Sequence, residues 1–205
     1  MNNKIRKSIE NNNNNNDDDD DDNNKKLKIE KEEKEEKEEE IKIINSFILK
    51  SPIGALKITA DDKSLHGIRL YESKNLDEEC KNKTNNKIIL QINQELDQYF
   101  NGKLQEFKTP INLELGTEFQ RKVWTHLRTI PYGSTLSYSS VATQLGLDKK
   151  YARAIATSCR LNIFLLLVPC HRIISSNGKV IGYSGKKGID KQFILSNIEK
   201  ANIKT

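Results

Sequence analysis

The most informative part of this sequence is the stretch Phe164-Leu165-Leu166-Leu167-Val168-Pro169-Cys170-His171-Arg172-Ile173-Ile174. Its five leading apolar residues, 164–168, predict a buried strand that carries Cys170 to its end. His171 and Arg172 follow at once, and a base and a permanent positive charge beside a thiol favour the reactive thiolate. The stretch predicts a nucleophilic cysteine, with a buried structural cysteine beside a surface histidine as the alternative.

Two other chemistries of cysteine fit the sequence less well. A Cys–His hydrolase needs a distal histidine, but only His66 and His126 remain, and neither lies in a supporting motif. A zinc site is disfavoured because the three cysteines show no CxxC spacing, and no Cys or His precedes Ile41. We therefore expect no metal and no other cofactor.

The charge of the chain is unevenly distributed along its 205 residues. The net charge of +5 combines −6 over residues 1–40 (9 Lys or Arg against 15 Asp or Glu) with +11 over residues 41–205 (25 against 14). Residues 110–205 hold 14 basic against 5 acidic side chains, a net of +9. Such asymmetry indicates a polyanionic partner such as nucleic acid. We expect no membrane span and no signal peptide, and hence an intracellular protein.

The composition divides the chain into three parts. Residues 1–40 are tracts of Asn, Asp and Lys/Glu, which predict a disordered tail. Residues 41–110 predict a small α/β domain, and residues 111–205 a mostly helical one, so the fold class is α+β. In the first domain we expect strands at 43–49, 55–59 and 65–70, a polar loop at 71–86 and a helix at 88–100.

The second domain contains a pair of short helices after a first helix at 118–130. Ser137 is a suitable N-cap for a helix through residue 145, Gly146 a suitable stop, and Asp148 a suitable cap for a helix at 149–160. This pattern indicates a helix-turn-helix. The second helix carries the basic side chains of Lys149, Lys150, Arg153 and Arg160. Its small residues Ala152, Ala154 and Ala156 fit a tight helix contact or close approach to a nucleic-acid groove.

Several motifs together resemble the O6-alkylguanine-DNA alkyltransferases (methylated-DNA–protein-cysteine methyltransferases). Besides Pro169-Cys170-His171-Arg172-Ile173-Ile174, they are Gly116-Thr117-Glu118-Phe119-Gln120-Arg121-Lys122-Val123-Trp124, Ile130-Pro131-Tyr132-Gly133, Ser137-Tyr138, Ala152-Arg153-Ala154 and Gly182-Tyr183-Ser184-Gly185. They follow the family's order, and the resemblance covers about residues 43–199.

The resemblance implies a single-turnover DNA repair protein. Cys170 would take the alkyl group from O6-alkylguanine, with O4-alkylthymine as a possible further substrate, and would keep it as a thioether. His171 would remove the thiol proton through a bridging water, oriented by a carboxylate for which Glu199 is the candidate. Tyr138 would rotate a phosphate and protonate the leaving guanine. The partner would be double-stranded DNA containing alkylated guanine.

The resemblance also implies roles in binding DNA and the flipped base. Arg153 would fill the space left by the flipped nucleotide, and the second helix would enter the minor groove. Further DNA contacts or pocket neighbours are Ala152, Ala154, Arg160 and Ser176. Asn162 would support the active-site turn, and the base pocket would be lined by Val168, Tyr183 and Ser184.

The residues after Asn162 differ from the family pattern. The family usually has prolines just after the asparagine, whereas Ile163, Phe164 and Leu165 follow Asn162 here, which predicts a looser loop or a wider pocket.

The alternative function is a non-catalytic protein of the same fold that binds alkyl lesions, although such relatives lack the cysteine. We expect a monomer that does not bind membranes, and nuclear residence follows from the DNA substrate.

Overall fold

The computed structural model describes residues 43–81, 83–178 and 193–200 and begins with a three-stranded antiparallel sheet in the order β1-β2-β3. Its strands are β1 (Asn45–Ser51), β2 (Gly54–Ala60) and β3 (Leu65–Leu70). Gly54 has a φ of 111°, a conformation that favours glycine, where the chain turns from β1 into β2. β1 starts two residues later than predicted, and Ile43, just before it, is exposed.

Two helices follow the sheet, and the second covers it. The short helix α1 (Leu76–Glu79) lies within the segment predicted as a polar loop. Helix α2 (Lys87–Phe100) begins at Asn86, whose side chain accepts a hydrogen bond from the Ile89 N–H. Its apolar side packs on β2. The buried residues of α2 are Ile88, Ile89, Ile92, Glu95, Leu96 and Tyr99.

Three more helices form the second half of the fold. Helix α3 (Glu118–Leu127) starts with a capping box between Thr117 and Gln120. Helix α4 (Tyr138–Gln144) is capped by Ser137 as predicted, and helix α5 (Ala152–Arg160) follows a 3-10 turn (Lys149–Tyr151) that Asp148 caps. The predicted α+β class, a small sheet followed by a helical region, is confirmed.

A single hydrophobic core contains side chains from both halves. Trp124 of α3 packs edge-on against Phe164, with ring centroids 5.9 Å apart, and donates its indole N–H to the Ser158 carbonyl of α5 at 3.0 Å. Gly116 is required beside this ring, since a Cβ there would lie 2.5 Å from the Trp124 side chain. Because the core is continuous, the division between residues 110 and 111 stays a prediction.

The predicted strand at residues 164–168 is wrong. Phe164 forms one isolated bridge with Ile68, and the chain then turns within the core, with Leu166 at a φ of 72°. Cys170 therefore lies on a 3-10 turn (Cys170–Arg172) instead of a strand end. A run of buried apolar residues has the same pattern in a strand and in a buried turn, which explains the error. β5 (Ile173–Ile174) follows and pairs in parallel with β4 (Leu136–Ser137).

Candidate active site

The side chain of Asn162 organises the turn that carries Cys170. Its Oδ1 accepts a hydrogen bond from the Phe164 N–H at 2.8 Å, and its Nδ2 donates to the Val168 carbonyl at 2.9 Å. The same Nδ2 lies 2.7 Å from the sulfur of Cys170, which is 1% exposed. An amide N–H at this distance stabilises a thiolate. The structure thus places Asn162, Val168 and Cys170 in one turn, while the predicted roles of Asn162 in supporting that turn and of Val168 in lining the base pocket stay predictions.

The loop after Asn162 is held without the expected prolines. The Ile68 N–H of β3 donates to the Ile163 carbonyl at 2.8 Å, and the Leu165 N–H donates to the Ile68 carbonyl at 3.1 Å. A proline at position 165 has no N–H and could not make the second bond. Backbone pairing with the sheet therefore anchors this loop, which does not support the expectation of a looser one.

The side chain of His171 is bonded to Glu199. Its Nε2 lies 2.8 Å from Glu199 Oε1, and both side chains have no exposed surface. Glu199 follows a π-helical turn (Ile194–Ile198), and the Tyr132 hydroxyl donates to the Ile198 carbonyl at 2.6 Å beside it. Glu199 is the predicted candidate for the carboxylate that orients His171, and the structure places this carboxylate in contact with the histidine.

Arg172 neutralises the same carboxylate. Its Nη2 and Nε lie 2.9 and 3.1 Å from the two Glu199 oxygens, and its Nη1 donates to the Ile130 carbonyl at 2.6 Å. The Gly133 N–H adds a bond to Glu199 Oε2 at 3.0 Å. Burial by itself raises the pKa of Glu199, but the hydrogen bonds and charges of His171 and Arg172 outweigh it and hold that pKa well below its ordinary value. Glu199 is therefore an anion at neutral pH.

The ionised carboxylate determines which nitrogen of His171 carries the proton. A carboxylate can only accept, so the Nε2 of His171 must donate to it. In the neutral ring Nδ1 is then the acceptor, which leaves this atom as the base. Such an orienting acid beside a histidine is a general way to activate a nucleophile.

Tyr99 of α2 is a member of this cluster that the sequence did not predict as a site residue. Its hydroxyl donates to Glu199 Oε1 at 2.7 Å and lies 3.5 Å from His171 Nε2. Its position among the apolar residues of α2 had indicated a core side chain. The only signal in the sequence was its hydroxyl group, because a fully buried tyrosine needs a hydrogen-bond partner.

Tyr138 is half-buried at the start of α4. Burial, with smaller contributions from the thiols of Cys159 and Cys170, raises the pKa of Tyr138 to about 12. The phenol is therefore protonated at neutral pH and can act as a proton donor.

Helix α5 presents its basic side chains to solvent. Arg153 and Arg160 are exposed, as are Lys149 and Lys150 in the turn before the helix, while Ala152 and Ala154 are half-buried. The opposite face of α5 is in the core through Ile155 and Cys159. The exposed side of α5 is therefore free to face an anionic partner.

Three further predicted site residues are Ser176, Tyr183 and Ser184. Ser176 is exposed in the turn after β5, and Tyr183 and Ser184 lie outside the described residues. The other two histidines form hydrogen bonds elsewhere, His66 with Asp61 at 2.8 Å and His126 with Gln144 at 2.9 Å.

Within residues 43–81, 83–178 and 193–200, no three His, Cys, Asp or Glu side chains are placed to hold a metal ion. In the same part of the chain, no helix is long and apolar enough to cross a membrane.

Comparison with known proteins adds the family context. Residues 44–113 match the family model described as 6-O-methylguanine DNA methyltransferase, ribonuclease-like domain. Residues 118–201 match the model described as the DNA binding domain of the same methyltransferase. A methylated-DNA–protein-cysteine methyltransferase from Methanosarcina barkeri is 34% identical over 158 residues, which are 77% of this chain and 98% of the relative.

Two solved structures are similar to this fold. The O6-methylguanine methyltransferase of Mycobacterium tuberculosis has a TM-score of 0.64 and 34% identity over 77% of this chain and 93% of its own. The OGT protein of the same organism in complex with DNA has a TM-score of 0.62 and 33% identity over 76% of this chain and 92% of its own.

Proposed function

Since this chain belongs to the methylated-DNA–protein-cysteine methyltransferase family, we propose that Cys170 is the residue that accepts the alkyl group. The protein binds DNA and repairs it by irreversible transfer of the alkyl group from O6-alkylguanine to its own cysteine. One observation carries the assignment to Cys170. Its buried sulfur lies against the Asn162 amide, directly before the histidine that is bonded to a buried carboxylate.

The proton of the thiol goes to His171. Glu199 holds the Nε2–H of the ring, so Nδ1 receives the proton and the thiolate remains next to the Asn162 amide. The imidazolium that results donates to the ionised Glu199 carboxylate, and the thiolate balances its positive charge, so the proton transfer adds no net charge to the core.

The transfer itself is an in-line displacement. The thiolate electron pair forms the S–C bond, the C–O6 bond breaks, and its electrons stay on the guanine oxygen. The phenol of Tyr138, which is protonated before the reaction, gives that guanine a proton. The imidazolium returns its proton to the tyrosinate. The thioether cannot be hydrolysed, so each molecule acts once.

The damaged nucleotide reaches Cys170 by base flipping. The thiol is 1% exposed, whereas a guanine in duplex DNA is stacked between its neighbours, so the two cannot meet without extrusion of the base. We assign Arg153 to the space that the nucleotide vacates, because it is exposed on α5.

The pair α4 and α5 acts as a helix-turn-helix that places α5 in the minor groove. The exposed basic side chains of Lys149, Lys150 and Arg160 support contact with phosphates, and the small Ala152 and Ala154 suit a narrow groove. The proposal also places Ser176, Tyr183 and Ser184 around the flipped base. We also propose that the protein is a monomer and that it resides in the nucleus, the latter because its substrate is DNA.

Mass analysis of the intact protein tests the assignment. We expect incubation with duplex DNA containing O6-methylguanine to add one methyl group per molecule, and peptide mapping to find it on Cys170. Cys170→Ala should remain unmodified, while the matched control Cys159→Ala should still accept the group. Methylation of Cys170→Ala would refute the proposal, and tight binding of the damaged duplex with Cys170 unmodified would favour the non-catalytic alternative.

A further inference from the structure

We propose that Tyr99 is a positioning residue for the alkyl transfer, because its hydroxyl group holds the carboxylate that orients His171. The inference rests on the proposed role of Cys170 and His171. It adds a contribution from α2, a helix of the segment that precedes the matched DNA-binding domain.

The contact is specific to the phenolic oxygen. Tyr99 is fully buried, and its hydroxyl reaches Glu199 Oε1 at 2.7 Å, the same oxygen that lies 2.8 Å from His171 Nε2. The ring itself is held by aromatic neighbours, with Phe107 at 5.1 Å and Tyr132 at 6.0 Å between centroids. Phenylalanine at position 99 would keep these ring contacts and remove only the hydrogen bond.

The hydroxyl changes how strongly Glu199 attracts the proton on His171. Oε1 accepts from Tyr99, His171 and Arg172 at once, so each donor reduces the electron density available to the others. Without the phenol, Oε1 would bind the imidazolium form of His171 more tightly. The histidine would then become protonated at a higher pH and would be a base over a narrower range.

The other titratable and charged groups at this site lie on separate elements. Arg172 is on the 3-10 turn with Cys170, and Tyr132 lies in the loop after α3, with its ring 5.9 Å from the Arg172 guanidinium. Glu199 bonds to both His171 and Tyr99, and Cys170, whose thiol gives its proton to His171, precedes the histidine on the same turn. None of them is altered by a substitution at position 99.

The test is the pH dependence of alkyl transfer to Tyr99→Phe. We expect the acid limb of the rate with free O6-benzylguanine to move upward by as much as about one pH unit, the size expected for loss of one hydrogen bond to a charged group. At neutral pH the rate should fall about two- to tenfold. An acid limb identical to that of the unaltered protein would overturn the inference, even if Tyr99→Phe is less stable.

Thr109→Val is the matched control. Thr109 Oγ1 also donates to a buried carboxylate of α2, that of Glu95 at 2.8 Å, but takes no part in the site. We expect this variant to lose stability while its acid limb stays in place. If Thr109→Val moved the limb as far as Tyr99→Phe does, the effect would reflect stability alone and the inference would fail.

A second variant covers the case in which Tyr99→Phe does not fold. Incorporation of 3-fluorotyrosine at position 99 keeps the hydroxyl group and makes it a stronger donor. We expect the acid limb to move to lower pH, and an unchanged limb would contradict the inference. Failure of the proposed function is distinguishable from both results, since the unaltered protein would then not be alkylated at Cys170.

Discussion

At the scale of single residues, the carboxylate of Glu199 links most of the candidate site. It accepts hydrogen bonds from Tyr99, His171, Arg172 and Gly133 in a place without solvent. A buried charge is costly unless it is paired, and Arg172 is a partner that never loses its proton. The pair keeps Glu199 ionised and leaves His171 free to change its protonation state.

Replacement of Glu199 by Gln should therefore destabilise the protein strongly. The variant keeps the shape of the side chain but leaves the Arg172 guanidinium buried without a counter-charge, which costs about 3–5 kcal/mol of unfolding free energy. Urea denaturation at neutral pH measures this difference. Glu114→Gln is the control, because Glu114 pairs with Arg121 at an exposed site, where the loss should be about 0–1 kcal/mol.

The difference in stability between the unaltered protein and Glu199→Gln should depend on pH. The folded-state pKa of Glu199 lies below its unfolded value of about 4.3, so its contribution is complete above that value and declines as the pH falls toward the folded pKa. The difference between the unaltered protein and Glu199→Gln should thus shrink in acid. A difference that stays constant from neutral pH into acid would contradict the ionised state of Glu199.

At the scale of elements, the buried turn at 164–168 leads to Cys170, while helix α5 carries Arg153, an exposed side chain that we propose to act in DNA binding. The turn at residues 164–168 is anchored to β3 through Ile68, and so carries Cys170 on backbone that the sheet holds in place. Helix α5 is anchored through Ser158 to Trp124 and directs Arg153 to solvent. A substitution on the exposed side of α5 should therefore affect DNA repair without disturbing the reactive turn.

Arg153→Ala should separate binding of duplex DNA from the chemical step. We expect the rate of repair of O6-methylguanine in duplex DNA to fall about tenfold or more, while the rate with free O6-benzylguanine changes by less than about twofold, since only the duplex requires flipping. Single-turnover kinetics with both substrates measure the two effects. Arg69→Ala, another exposed arginine but on β3, should affect neither, and equal losses on both substrates for Arg153→Ala would refute its role.

At the scale of the whole molecule, the charge is segregated along the chain. The net charge of +9 over residues 110–205 lies in the part that contains α5, whereas residues 1–40 carry −6. We expect this negative segment to compete with DNA phosphates for basic side chains, and salt to screen that competition.

Deletion of residues 1–40 should raise the affinity for DNA at low salt. We expect an increase of about two- to fivefold at low ionic strength that disappears as salt is added, because the Debye length shortens. Fluorescence anisotropy with a labelled duplex at several salt concentrations measures it. Replacement of the six aspartates at 17–22 by Asn should reproduce much of the effect, and an unchanged affinity at low salt would reject the competition.

Features that depend on local chemistry could be predicted from the amino-acid sequence. Ser137 and Asp148 cap helical segments as predicted. The neighbouring His171 and Arg172 indicate that Cys170 is a nucleophile. The α+β class followed from the change between alternating and helical periodicity.

Contacts between residues far apart in the chain could not be predicted in this way. Tyr99 and Glu199 meet although 100 positions separate them, and no local pattern in α2 distinguishes this tyrosine from its apolar neighbours. The apolar run at 164–168 is a turn because the Asn162 side chain binds the Phe164 N–H and the Val168 carbonyl, and because Leu165 pairs with Ile68 of β3. The run itself does not encode these contacts. Hydrophobic periodicity reports which side chains are buried, whereas the partners of buried polar groups are determined by the packing of the whole chain.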